Sequence, residues 1–299
     1  MIRPGSPVPG TGHRSQEGQP RPGEDARQPT AAERVRTLLD GNASATLVIP
    51  GAEPEEPGTG AADFRVVAPS GDVFVLVPAG ARAAVIAARA LDDEVTAVME
   101  ITDVAPVAVP HRIRGRGWVA GWLTTAAGGE RTAALGLLAE RYPGGAPWRD
   151  GLPDLAPDPN WALLRLEVGE AYTDDLWGAD HVEPDELAEA AADPLARHEA
   201  ELLQHLAAAH QPQLRSLSSL LGERGAGCAV PPAPGGGSPE QGGAGWHAVT
   251  PLSLDRFGLR VRFRAGPACF DARFEFPEPV GDIAQLRRAM RQLFEAAGA

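Results

Sequence analysis

Lysine is absent from this chain: all 27 basic residues among its 299 are arginine. Aromatic residues make up only 5%. The two cysteines, Cys228 and Cys269, lie in unrelated contexts and form no CxxC pair. This excludes a thiolate zinc site and gives no basis for a disulfide framework. No run approaches the ~20 apolar residues that a membrane-spanning helix needs. The first residues, MIRPGSPVPGTGHRSQEGQPRPG, contain no apolar core of the kind a secretory signal carries. A soluble, cytoplasmic protein is therefore expected. Positive charge is outnumbered, with 40 acidic residues against the 27 arginines and a net charge of −13. Such a chain repels phosphate backbones and anionic headgroups, so neither nucleic acid nor membrane is an expected partner. A Walker loop, HExxH, GxGxxG and a Ser-His-Asp arrangement are also missing, as are paired carboxylates in a supporting context. No catalytic residue and no metal ligand is assigned.

What is present reads as two domains after a tail. Residues 1–29 are rich in Pro, Gly, Gln and Arg, carry almost no bulky apolar residue, and are expected to be disordered. Order begins at TAAERVRTLLD, where Thr30 and Glu33 form a capping box ahead of Val35, Leu38 and Leu39. DFRVVAP (63–69) and DVFVLVP (72–78) flank Ser70-Gly71, a hairpin signal. The order predicted for 30–183 is helix, three strands, helix, two strands, helix, strand, which suggests a small α+β barrel. Residues 184–299 form a second, smaller α+β domain. A helical stretch broken near Asp193-Pro194 and ended or kinked at Pro212 precedes a flexible loop at 225–245. Three strands and an amphipathic helix over 281–298 follow, the helix aligning Ile283, Leu286, Met290, Leu293 and Phe294.

Two sets of residues are candidates for a site. In HRIRGRGWVAGW, alternation puts Arg112, Arg114, Arg116, Trp118 and Trp122 on one strand face, and Arg65 could join them. Guanidinium groups beside an aromatic ring suit a phosphate or a carboxylate. The competing reading is a solvated face paired with acidic neighbours. Arg260, Arg262 and Arg264 repeat the pattern, but a hairpin closed around 265–268 sets Arg262 opposite Asp271, and ion pairing accounts for that set. The second set is histidine. His205 and His210 are five residues apart, about 140° around a helix, so they should not converge on one ion. They read as packing residues. His181, beside Asp180 in a predicted turn, either faces a ligand at the barrel rim or caps a helix starting at Pro184.

Three short motifs carry a family resemblance. They are His205-Leu-Ala-Ala-Ala-His210, against an H-M-N-x-D-H pattern; Leu176-Trp-Gly-Ala-Asp-His181, against a G-F-G-x-A-H-like turn; and LSLDRFGLRVRF, through Asp255 and Gly258. In this order and spacing the chain resembles the HugZ-type haem-utilisation family. There, a pyridoxamine phosphate oxidase-like (FMN-binding) split barrel is followed by a C-terminal domain of unknown function. The resemblance implies a split β-barrel at 30–183 and a homodimer with ligand sites at the dimer interface. The histidine that ligates iron near the C-terminus of the haem-degrading member has no counterpart, since no histidine follows His247. Nor is the Arg, Lys and Ser/Thr phosphate pattern of flavin-binding members matched. The expectation is thus binding of a tetrapyrrole or related anionic cofactor, haem before FMN, with little or no catalysis. Arg112, Arg114, Arg116 and Trp118 would hold it, with His181 at the rim. An FMN-dependent oxidoreductase and a ligand-free scaffold are the alternatives.

Overall fold

A computed structural model describes residues 26–52, 61–90, 95–143, 160–221, 246, 248–266 and 268–298. Of the tail expected to be disordered over 1–29, residues up to 25 lie outside the described residues, as does the loop 225–245; Arg27 is ordered instead, its N–H donating to Glu275 at 3.0 Å and its guanidinium to the carbonyls of Phe276 and Pro277. The chain divides into two units, one holding 30–104 and 113–192, the other 105–112 and 193–299.

The first unit contains α1 (Ala31–Asp40), β1 (Ser44–Val48), β2 (Phe64–Val67), β3 (Val73–Pro78), α2 (Arg82–Ala90), β4 (Val95–Val104), β5 (Ile113–Thr125), α3 (Gly128–Arg141), β6 (Trp161–Asp175), β7 (Gly178–Val182) and α4 (Pro184–Glu189). The Thr30–Glu33 capping box forms as read from the sequence. The strands make one antiparallel sheet in the order β1-β4-β5-β6-β3-β2, with β7 also on β6. It is a curled sheet, consistent with a split barrel. Strand β6 spans 15 residues and shares one edge between β3, at its start, and β7, at its end. The inner face packs Val119, Met99, Ile101, Leu123 and Ala171 against Val35 and Leu39 of α1. Strand β3 is buried on both faces because α3 lays Ala134, Leu135 and Leu138 against Phe74 and Leu76. That explains its unbroken apolar run.

Arg65 does not join an arginine stripe. Its side chain is only 1% exposed and donates to the carbonyls of Leu39, Leu38, Ala43 and Ala62 at 2.7–3.1 Å. A helix ends with carbonyls that have no partner inside it, and this guanidinium satisfies those of α1. Burial lowers its pKa to about 10.

The second unit contains α5 (Glu199–Ala209), α6 (Gln211–Ser216), a 3₁₀ turn, β8 (Ala248–Asp255), β9 (Gly258–Ala265), β10 (Ala268–Glu275) and α7 (Ile283–Ala296). Its sheet runs β10-β9-β8. Phe263, Val261, Leu259 and Phe274 form a core with Leu203 and Leu206 of α5 and Leu286, Met290 and Leu293 of α7. The 265–268 hairpin has the expected register, and Arg262 meets Asp271 in a bidentate pair at 2.6 and 2.8 Å. Pro212 does not simply stop the helix: α5 ends at Ala209 and Pro212 sits in the first turn of α6, where a missing N–H costs nothing.

Candidate functional site

Registers across five strands build one face of the first unit. Thr46 lies opposite Glu100, Glu100 opposite Trp118, Trp118 opposite Tyr172, and Tyr172 opposite His181. Directly opposed residues point to the same side of a sheet. This side is the one turned away from the core, since the intervening Val119, Met99 and Ala171 point inward. Trp118 and Tyr172 are both half-buried, their ring centroids 5.5 Å apart and tilted by 47°. Arg116, two residues along β5, lies opposite Asp174 and Thr102.

The β6–β7 turn fixes His181. Asp175 accepts from the backbone N–H of Trp177 at 2.8 Å, and Gly178 takes φ 127°, a region that glycine enters freely. Arg34 of α1 pairs with Asp175 at 2.8 Å and also with Asp180, tying the turn to the helix. His181 is thus on a strand rather than in a turn, with half its side chain exposed. Its Nε2 lies 3.8 Å from Glu170 and its Nδ1 lies 3.6 Å from Glu183. It does not cap α4. That helix begins with Glu183, whose backbone N–H donates to Glu186 at 3.2 Å.

The expected single face of arginines does not survive. The β4–β5 register shifts between Asp103 and Val104, so that Gly115 and Ile113 pair while Arg114 is an extra residue between them. A bulge of this kind breaks period-two alternation. Arg114 is buried and bonded to Asp103 at 2.7 Å, which makes it a strand-holding residue. Arg112 lies beyond the end of β5, in the second unit, where it donates to Ala105 O at 3.1 Å. Arg116 and Trp118 remain on the face with Trp122, and His181 joins them. Tyr172 and Glu170 were not singled out from the sequence, although alternation along β6 puts both on that side. Burial, then Asp174 and Asp180, raise the Tyr172 pKa, so its hydroxyl stays protonated as a donor.

His205 and His210 do approach each other, against the helical-wheel expectation. Helix α5 ends before His210, whose φ and ψ of −125° and 29° are not helical. The imidazoles therefore meet edge to face at 5.1 Å, and His210 stacks on Phe294 at 6.0 Å. Among the described residues no three His, Cys, Asp or Glu side chains are placed to hold a metal ion. His210, half-buried, packs on Phe294, whereas His205 is exposed and touches the edge of that stack.

The chain is similar in fold to a haem-binding protein from Mycobacterium smegmatis, with a TM-score of 0.56, 19% identity, and 91% of this chain aligned to 99% of that one. A protein of unknown function from Agrobacterium tumefaciens aligns over 88% of this chain and 94% of its own, at 18% identity and a TM-score of 0.36. Campylobacter jejuni ChuZ aligns over 54% and 63%, at 13% identity and a TM-score of 0.40. No family model and no curated protein matches the chain.

Proposed function

We propose that the outward face of the first unit's sheet binds a tetrapyrrole, or a similar planar anionic cofactor, with little or no catalysis. The observation that carries this reading is the row Trp118–Tyr172–His181, with Arg116 beside it. Two half-buried rings give a planar ligand an apolar floor. His181 offers an accessible imidazole, a nitrogen donor suited to iron. Arg116, two residues from Trp118 on the same side of β5, offers a cation for a carboxylate, although Glu100, Glu170 and Asp174 share the face and weaken its field. The residues fit the ring and the iron better than they fit two propionates. Bound haem would supply a redox-active iron, and the chain's part is to hold and orient it. The similar-fold protein from M. smegmatis is a haem-binding protein, which supports the reading. Arg114 serves by holding β5 to β4, and Arg112 has no part in this site. The reading includes a homodimer, as the family resemblance implies.

The test is a visible absorption titration of the purified chain with haem, and separately with FMN. A saturable Soret band is expected, with His181→Ala shifting its position and Trp118→Ala weakening binding by about tenfold, the loss of one buried aromatic contact. Arg114→Ala should lower the unfolding midpoint without moving the Soret maximum. A flavin spectrum alone would favour the oxidoreductase, and no saturable change with either would leave only a ligand-free scaffold.

A further inference from the structure

The second unit holds a cavity of about 310 Å³ whose walls include Val109, Pro110, Arg112, Thr250, Arg262 and Arg264. We infer that this cavity is a binding site for a small molecule bearing a phosphate group, held by Arg112 and Arg264.

The argument starts from strand β9. Its alternation sends Val261 and Phe263 into the core and Arg262 and Arg264 to the opposite side, where the segment 105–112 covers them in part. Arg262 is fully engaged. Its Nε and Nη2 bind Asp271, and its Nη1 donates to the carbonyls of Pro110 at 2.5 Å and His111 at 3.3 Å. It therefore builds the wall, and Asp271 cancels its charge. Arg112 and Arg264 are left as the cavity's excess charge. Both are exposed, and neither forms an ion pair with a described residue. Among the described residues, the lining contains no carboxylate. Cys269, opposite Arg264, has its thiol pKa raised by burial, so it adds no negative charge at neutral pH.

Two further observations separate this site from a pair of solvated arginines. In a chain of net charge −13, two cations beside an apolar wall with no acid among the described lining residues run against the average. The wall is also held under backbone strain: His111, between lining residues Pro110 and Arg112, takes φ 55°. A non-glycine residue in the left-handed region costs of order 1 kcal/mol or more, and such residues cluster at ligand sites. A tetrahedral dianion presents enough acceptor oxygens for two guanidinium forks and the Thr250 hydroxyl, whereas a monocarboxylate does not. The volume admits a phosphomonoester of modest size.

The experiment is a thermal-shift and calorimetric titration of the full chain with inorganic phosphate, against sodium chloride at equal ionic strength. Phosphate should raise the unfolding midpoint saturably, with half-effect in the ~millimolar range expected of a small, partly hydrated anion. Arg112→Gln with Arg264→Gln should weaken that response by about tenfold or more. Arg264→Lys should keep part of it. Arg112→Gln also loses its bond to Ala105 O, so the phosphate-induced shift is read relative to each variant's own midpoint without phosphate. Arg116→Gln, in the first unit, should leave the phosphate response intact, which keeps this site distinct from the tetrapyrrole face. No response beyond that of chloride, or an equal response in the double variant, overturns the proposal.

Discussion

Arg65, with Arg141 also donating to Leu39 O at 3.2 Å, holds the C-terminal end of α1. Its burial against four carbonyls means that no shorter cation can replace it. Arg65→Met removes the donor to Leu38, Ala43 and Ala62, while Arg141 still donates to Leu39 O, at a cost of about 3 kcal/mol that urea unfolding would measure. Arg65→Lys should cost nearly as much, because one ammonium cannot span the four positions. Asp193 is a second buried group with a measurable signature. It is 6% exposed and accepts from the N–H groups of Leu195 and Arg256, both at 2.9 Å. Burial outweighs those bonds and raises its pKa to about 6. The unfolded carboxyl ionises near its ordinary value of 3.8. Between these pH values the folded form holds a proton that the unfolded form has lost, so stability falls as pH rises from about 4 to about 6. Asp193→Asn cannot ionise. The parent's stability relative to the variant should therefore fall over that window by up to about 3 kcal/mol, and a difference constant with pH would contradict the assignment.

At the level of elements, the central antiparallel pair β5–β6 depends on a glycine. The register shifts between Ala120 and Gly121, and a methyl group on Gly121 would lie 1.9 Å from the carbonyl oxygen of Glu167. Backbone cannot yield by that much without unpairing the strands. Gly121→Ala should cost about 3 kcal/mol or prevent folding, as read from expression and circular dichroism. The sequence shows that glycines interrupt this strand, and a glycine inside a strand marks a bend or a close approach of another backbone. It does not show which strand approaches, because that depends on a partner 46 residues away, Glu167. The β6–β7 hairpin was harder to see. Leu176-Trp177-Gly178 carries a turn signal, but the five residues of β7 are too short and polar to stand out as a strand. They are held by pairing to β6 and by Arg34, both tertiary effects.

For the whole molecule the charge argument and the cavity argument act at different ranges. A net charge of −13 repels a long polyanion over its full length. A small phosphate that enters between Arg112 and Arg264 meets mainly the local field, because solvent screens charges more than about 10 Å away at 0.1 M salt. Fluorescence anisotropy with labelled duplex DNA should accordingly show no binding at that salt, while phosphate still raises the melting midpoint. Strong DNA binding would mean that the acidic surface is more segregated than the composition implies. Among the described residues no helix is long and apolar enough to cross a membrane.

Local pattern determined the elements. The capping box at Thr30, the break at Asp193-Pro194, the register of the 265–268 hairpin and the apolar face of α7 all follow from near neighbours in the chain, whose spacing is fixed by helix and strand geometry. Tertiary structure decided which arginines meet. Alternation gave Arg112, Arg114 and Arg116 a common face, but a bulge at Arg114 and the start of β5 only after Arg112 sent them to three different environments. It also brought Tyr172 and His181 beside Trp118, and Arg112 beside Arg264, across separations that no local pattern encodes. The reason is physical. Alternation and helical period act over a few residues, whereas bulges, sheet registers and cavity walls are set by contacts that exist only after the chain has closed.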